Sequence, residues 1–435
     1  MQDKIQAMLS DDELRASVRT ALAPLGGVRR VLLVHPDYSR QDFSDRVVPL
    51  VREQLLSQGL HTLDTLNAGG THRPMTPQEL RDKLGLVDLH HIGTLHNHEY
   101  DDPSQLTEVG VIPADFVARQ TQGQIGEPMP VTVNRLLFAG YDAIVCLSGT
   151  VPHEALGFSG GTKLLFPGIS GPEVIGLLHW AAVLIGIPRL IGERDNPARQ
   201  VVDAGAALIV EQLGSTPIVS LNMVYTEDQA HRVVPRGLFS GWGLEGFRTA
   251  LQQAAALSAQ LHIVYRETAA RLAVQCLPAM YDEVWTAGKG SYKLQRPGVI
   301  APGGEIILYA PHIHAFHSKP DLDAAIRAIG YHGRDYVRQF CALHPDFNKN
   351  VAAHVINVRG LGRLIDQREE FDFEVTLATA IPEADCRAVG LGYRDPASIR
   401  REAFVGDDVL WIADGGKWLY ARRGSEGLAK FPSAC

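Results

Sequence analysis

The sequence has no run of Lys and Arg, no HExxH or paired-carboxylate signature, and no CxxC pair among its five cysteines. Each absence removes a class of function. Net charge is −8 from 41 basic and 49 acidic residues, with no interleaving of basic and aromatic residues, so nucleic acid and anionic membrane are poor partners. Cys146, Cys276, Cys341, Cys386 and Cys435 are scattered and odd in number, which argues against a disulfide framework or a thiolate zinc site and fits a reducing cytoplasm. No apolar run reaches the roughly 18 residues of a membrane span. The longest candidate is VIGLLHWAAVLIGI, and the N-terminal MQDKIQAMLSDDELRASV lacks the apolar stretch of a secretion signal. A phosphate-binding P-loop is missing too: Lys163 follows Thr162 and precedes Leu164, where that loop needs Gly-Lys followed by Ser or Thr.

What remains is a chain of 435 residues, 45% hydrophobic and 21% charged, the composition of a globular enzyme of two or three domains with a small-molecule site. Short β-branched apolar runs alternate with amphipathic stretches, as in βαβ units with a largely parallel sheet. VRRVLLVH, HTLDTLNAG and YDAIVCLSG predict strands; SDRVVPLVREQLLSQG, TPQELRDKLG with Thr76 as N-cap, and SGPEVIGLLHWAAVLIG predict helices. After GLEGFRTALQQAAALSAQ the pattern restarts with YDEVWTAGKG, GGEIILYAPH, FEVTLATAIP and DDVLWIADGG. The fold expected is α/β, with two α/β domains, 1–278 and 279–435, largely parallel sheets and an active-site cleft between the domains. The last residues of the chain are a candidate for packing back on the first domain, and PADFVARQTQGQIGEPMP, which has no clear period, is expected as a long surface excursion.

In open α/β sheets, ligands bind at the carboxyl ends of the strands. Three polar loops follow expected strands, HPDYSR, GGTHRP and SGTVPHEALGFSGG, and should converge. Arg40 offers a planar fork for a carboxylate or phosphate, or caps a surface. His72 and Arg73 precede a helix cap, and a bystander histidine there is the bland alternative. The 17 histidines are the unusual count. His153 and His179 flank Lys163 with nine and fifteen intervening residues; a histidine on an apolar helix face such as that of His179 is either a satisfied core residue or a metal ligand. His96 and His98 in HNHEYDD could bind metal or belong to a solvated loop.

Taken in order, DYSR, GGTHRPMT, HNHEYDD, PHEALGFSGGTKLLFPGISG and NPARQVVDAGAAL resemble the lactate racemase family, whose members use a nickel-pincer nucleotide, pyridinium-3,5-bisthiocarboxylic acid mononucleotide nickel. The resemblance covers most of residues 28 to 300. It implies that Lys163 bonds covalently to the nucleotide, that His179 ligates nickel, and that His72 and His153 are the acid/base pair. It further implies that Arg40 meets the substrate carboxylate, and that Asp37, Arg73, Ser159, Gly160 and Gly161 surround the cofactor. The reaction implied is racemisation or 2-epimerisation of a 2-hydroxy acid by hydride transfer from C2, with one histidine taking the hydroxyl proton and the other returning one. Cofactor-synthesis enzymes are then upstream partners; homo-oligomerisation stays open.

The resemblance departs in the second domain. Where relatives continue with GGYPLDQ and a helix, this chain has GSYKLQR, with the helix cut short by Pro297 and Gly298. Lys289, Tyr292 and Lys293 become the candidate substrate contacts, and with Ser291, His312 and His314 they would make a polar wall suited to a sugar acid such as gluconate rather than lactate. The same residues could instead face solvent. Competing readings are a racemase of lactate or another short 2-hydroxy acid, a sugar-acid dehydratase or isomerase using His72, His98 and His153 with a simple divalent ion, and a non-catalytic cofactor-binding protein.

Overall fold

The computed structural model describes residues 8–424 except 41, 229 and 231. Two compact units emerge. The first comprises the chain up to Val151, Phe158–Ile175 and Pro197–Leu261; the second comprises Pro152–Gly157, Gly176–Asn196 and the chain from His262 onward. The sequence placed a single boundary near residue 278, whereas the compact units divide between Leu261 and His262, and two short segments of the first half group with the second unit. The expected return of the final residues onto the first domain falls on 425–435, outside the described residues.

The first unit is built on strands β1 (Arg30–His35), β2 (Thr62–Asn67), β3 (Ile92–Asn97), β4 (Ala143–Gly149), β5 (Ile218–Glu227) and β6 (Val233–Trp242), in the spatial order β6-β5-β4-β1-β2-β3. The first five are parallel, and β6 pairs antiparallel with β5. Val31, Leu32, Leu33 and Val34 of β1 are fully buried, as an apolar run covered on both faces must be. Each such side chain contributes roughly 1.5–3 kcal/mol by leaving water. Helix α1 (Asp11–Leu22) and helix α2 (Ser44–Ser57) supply apolar faces to the same core through Leu14, Val18, Leu22, Val47, Val51 and Leu55. Helix α3 (Pro77–Leu84) starts as expected at Thr76, whose hydroxyl accepts from Glu79 N–H while the Glu79 carboxylate accepts from Thr76 N–H, and ends at Gly85 with φ 61°. Helix α4 (Pro172–Ile185) begins in the first unit and continues in the second; α5 (Pro197–Leu213) and α6 (Gly243–His262) follow.

The chain runs outward from β1 through β2 to β3 and returns to β4 on the other side of β1, so the strand order reverses between β1 and β4. A crevice at such a reversal is where this architecture receives ligands. The loops after β1, β2 and β4 are those the sequence singled out.

The second unit holds β7 (Ala270–Cys276), β8 (Ile300–Ala310), β9 (Phe373–Thr379), β10 (Gly392–Tyr393) and β11 (Val409–Ile412), ordered β10-β9-β8-β7-β11 and parallel throughout. Helix α7 (Lys349–Arg359) is largely buried along its length. Three sequence expectations differ. PADFVARQTQGQIGEPMP is not simply an excursion: Ala114–Gln120 is helical, and Met129–Asn134 pairs antiparallel with Leu106–Ile112. YDEVWTAGKG does not open the second sheet; it forms the short helices Val284–Ala287 and Lys289–Tyr292, while the unpredicted β7 lies between β8 and β11. His96 lies on β3, not in a loop.

Candidate functional site

In the first unit, the loop after β1 presents Asp37, 3% exposed, whose carboxylate accepts from Ser39 Oγ at 2.7 Å and pairs with His72 Nδ1 from the loop after β2. Burial alone would raise this carboxyl, but the facing His72 charge and hydrogen bond, Arg40 and the Ser39 hydroxyl hold it well below the usual carboxylate range. An acceptor at Nδ1 fixes the His72 proton there and leaves Nε2 available as a base. Tyr38 stands beside the His72 ring at 6.1 Å between centroids, and Arg73 lies over Tyr38 at 4.3 Å. Arg73 also forks onto the Glu79 carboxylate at 2.7 and 3.0 Å. Gly70 N–H donates to Gly168 O at 3.1 Å, bringing the loop after β2 against the glycine-rich segment that carries Lys163.

That segment is braced from within. Gly160 has φ +88°, and a Cβ there would lie 2.8 Å from Thr150 Oγ1 and 2.9 Å from Asn222 Oδ1. Only glycine fits this corner. Gly161 N–H donates to Asn222 Oδ1 at 2.8 Å, and Ser148 Oγ donates to the same oxygen at 2.9 Å. Ser159 Oγ donates to Gly149 O at 2.7 Å and accepts from Val151 N–H at 3.0 Å, so this hydroxyl serves the loop. Arg199 donates to the carbonyls of Gly160 and Phe158, and Thr162 Oγ1 donates to Asp203 Oδ1 at 2.6 Å. The NPARQVVDAGAAL stretch therefore acts by holding the corner on which Lys163, in the turn Gly161–Leu164, is mounted. Asn222 was missed, since an asparagine inside a strand carries no signal in a single sequence.

Around these loops several buried polar atoms lack a hydrogen-bond partner: Thr150 Oγ1, Thr65 Oγ1, Asn67 Oδ1, Ser170 Oγ and His35 Nε2. Buried polar groups are normally paired, so a concentration of orphans marks where a polar ligand belongs. His98 is different. Its Nε2 meets Ser170 O at 3.0 Å and its Nδ1 meets Asn134 Nδ2 at 3.2 Å, so both ring nitrogens are occupied. No group of three or more His, Cys, Asp or Glu among the described residues is arranged to hold a metal ion.

In the second unit, His153 is buried and its Nδ1 accepts from Ala155 N–H at 3.2 Å, with Glu154 Oε2 at 3.6 Å. Burial would raise the Glu154 carboxyl, but His153, a backbone hydrogen bond, His179 and Lys289 hold it well below the usual range. Glu154 was also missed, although it adjoins His153 in PHEALG. His179 Nδ1 faces Asn350 Oδ1 at 3.0 Å. Lys289 lies over the Tyr281 ring at 4.9 Å, and His312 Nε2 meets Tyr281 O at 3.0 Å. Much of the supposed polar wall is turned inward: Ser291 Oγ donates to Val358 O at 2.6 Å, Lys293 Nζ donates to Lys417 O at 2.5 Å, and Tyr292 is buried. Only His314 of that set is exposed.

The profile of the lactate racemase N-terminal domain matches residues 5–186. A protein from Thermotoga maritima with a known crystal structure is 50% identical, over 96% of this chain and 100% of its own, with a TM-score of 0.91. Residues 5–186 belong to the lactate racemase N-terminal domain family. The lactate racemase apoprotein from Thermoanaerobacterium thermosaccharolyticum shares the fold at 18% identity and a TM-score of 0.64, over 97% of this chain and 95% of that one. No curated protein matches the chain. The profile match takes in His72, His153, Lys163 and His179, the residues on which the resemblance to the lactate racemase family rests. No helix among the described residues is long and apolar enough to cross a membrane.

Proposed function

We propose that the protein is a racemase or 2-epimerase of a 2-hydroxycarboxylate, using a nickel-pincer nucleotide linked to Lys163. The observation that carries this reading is that His72 has the Asp37 carboxylate hydrogen-bonded at its Nδ1, while His153 is buried with the Glu154 carboxylate 3.6 Å from an Nδ1 that accepts from Ala155 N–H. Inverting a carbinol centre requires one group to take the hydroxyl proton and another to return one, so one imidazole starts neutral, the other starts protonated, and a turnover exchanges their states. A backing carboxylate stabilises the protonated form and leaves Nε2 to face the substrate. Asp37 equips His72 in this way.

The cofactor fits the residues present. Lys163 stands on a corner that a Cβ would fill, beside the unpartnered Thr150 hydroxyl. A nucleotide bringing its own donor atoms asks the chain for few metal ligands, and His179, its Nδ1 occupied, offers Nε2. When bound, the nickel-pincer nucleotide supplies the hydride acceptor that a weakly acidic C2–H requires. Arg40, beside Asp37, is suited to the substrate carboxylate. The simple-metal dehydratase loses support because His98, one of its three ligands, has both ring nitrogens engaged.

For the substrate we favour a hydroxyl-rich sugar acid, with Lys289 rather than Ser291 or Lys293 as a hydroxyl partner. The test is incubation of cofactor-loaded enzyme with C2-deuterated gluconate and, separately, C2-deuterated lactate in ordinary water. Inversion with deuterium retained supports hydride transfer; washout to solvent contradicts it. Faster turnover of lactate contradicts the sugar-acid assignment alone.

A further inference from the structure

His179 sits on α4, and one turn earlier on the same helix Gly176 leaves the surface bare. A Cβ at Gly176 would lie 3.8 Å from Asn350 Nδ2 and 4.0 Å from Lys349 Cβ. The first turn of α7 occupies this hollow. Asn350 is held there by the helix cap: Asn348 Oδ1 accepts from Asn350 N–H at 2.9 Å and from Val351 N–H at 3.3 Å. From that anchored position Asn350 Oδ1 approaches His179 Nδ1 at 3.0 Å, across 171 residues of sequence.

An amide oxygen only accepts, so Nδ1 must carry the imidazole proton and Nε2 must keep its lone pair. The opposite tautomer, with hydrogen on Nε2, has no lone pair at that nitrogen for a metal. We propose that Asn350 is a positioning residue for nickel: its side-chain carbonyl fixes the tautomer and ring orientation in which His179 is a metal ligand. This rests on the function proposed above. The Asn348 cap serves the same end by fixing the backbone from which the amide reaches His179. Outer partners of this kind typically contribute tenfold to a hundredfold to metal affinity.

The experiment uses wild type and the variants Asn350→Leu, Asn350→Ala and Asn350→Asp, each co-produced with cofactor-synthesis enzymes. Intact mass reads the Lys163 adduct; elemental analysis and visible absorption read nickel during a chelator challenge; thermal midpoints of the nucleotide-free forms check folding. All four proteins should carry the adduct. The Leu and Ala variants should lose nickel roughly 10–100-fold faster than wild type, and the Asp variant, which keeps an acceptor at the same position, should restore retention. Equal nickel loss in all four, or an Asp variant as leaky as Leu, overturns the role of Asn350 while leaving the adduct reading intact. Wild type with neither adduct nor nickel overturns both.

Discussion

The two units treat their polar residues in opposite ways. In the first, hydroxyl, amide and imidazole atoms around the β1, β2 and β4 loops are buried without partners, at Thr150, Thr65, Asn67, Ser170 and His35. In the second, the polar stretch from Lys289 to Arg296 is consumed by its own scaffold: Ser291 bonds Val358 O, Gln295 bonds Ser291 and Asn357 O, Lys293 bonds Lys417 O, and Arg296 pairs with Glu193. Polarity in a sequence therefore says little about ligand contact until its partners are known. The first unit leaves some of its loop polar atoms unpartnered while bracing the Lys163 corner with others, and the Lys289–Arg296 stretch of the second is spent on shape.

The sharpest probe of this comparison is kinetic. His72→Asn should lower kcat by about 10²–10⁴, and Asp37→Asn and Glu154→Gln should each lower it toward the smaller end of that range with little change in KM. If the Glu154 variant were as active as wild type, the Glu154 charge would not bear on His153. Gly160→Ala should come next. Left-handed backbone costs a non-glycine residue about 1–2 kcal/mol, and the added Cβ would meet Thr150 Oγ1 at 2.8 Å, so both the thermal midpoint and the fraction of chain carrying the Lys163 adduct should fall. A fully loaded variant would show that the corner does not shape the nucleotide site.

Ser291→Ala should be smaller and purely structural. Removing the buried hydroxyl deletes its bond to Val358 O and the acceptor it offers Gln295 Nε2, at a cost of about 1–3 kcal/mol, visible as a lower denaturation midpoint with substrate KM unchanged. A raised KM would return Ser291 to the substrate wall. The most diffuse effect is that of pH on stability. Burial lowers His35 to about 4, His98 to about 4 and His354 to about 3, from 6.5 in the open chain. Below pH 6.5 the unfolded chain binds more protons than the native one, so this stability is complete above pH 6.5 and is lost as pH falls toward those lower values. The thermal midpoint should decline steadily between pH 7 and 4; a flat profile would mean that these imidazoles are not buried neutral.

Much of the architecture was legible because apolar runs such as VLLV and IVCL have no other place than a covered parallel strand, and because Thr76 and Gly85 punctuate α3 by residue type alone. The β5–β6 ribbon and β7 went unpredicted, since ten-residue strands of mixed polarity such as VVPRGLFSGW show no clean alternation. The site was legible as motifs but not as partnerships. Asp37 meets His72 across 35 residues and Asn350 meets His179 across 171, and no local spacing encodes either pair. Ser291 and Lys293 misled for the converse reason: their partners Val358 and Lys417 lie far along the chain, so their polarity looked available.

The most direct measurement is intact mass with nickel analysis on protein co-produced with cofactor-synthesis enzymes, comparing wild type with Lys163→Ala. The account predicts a nucleotide-sized increment and near-stoichiometric nickel in wild type, both abolished by the substitution. Wild type without increment under conditions that load a lactate racemase, or a Lys163→Ala protein that still carries it, would contradict the account.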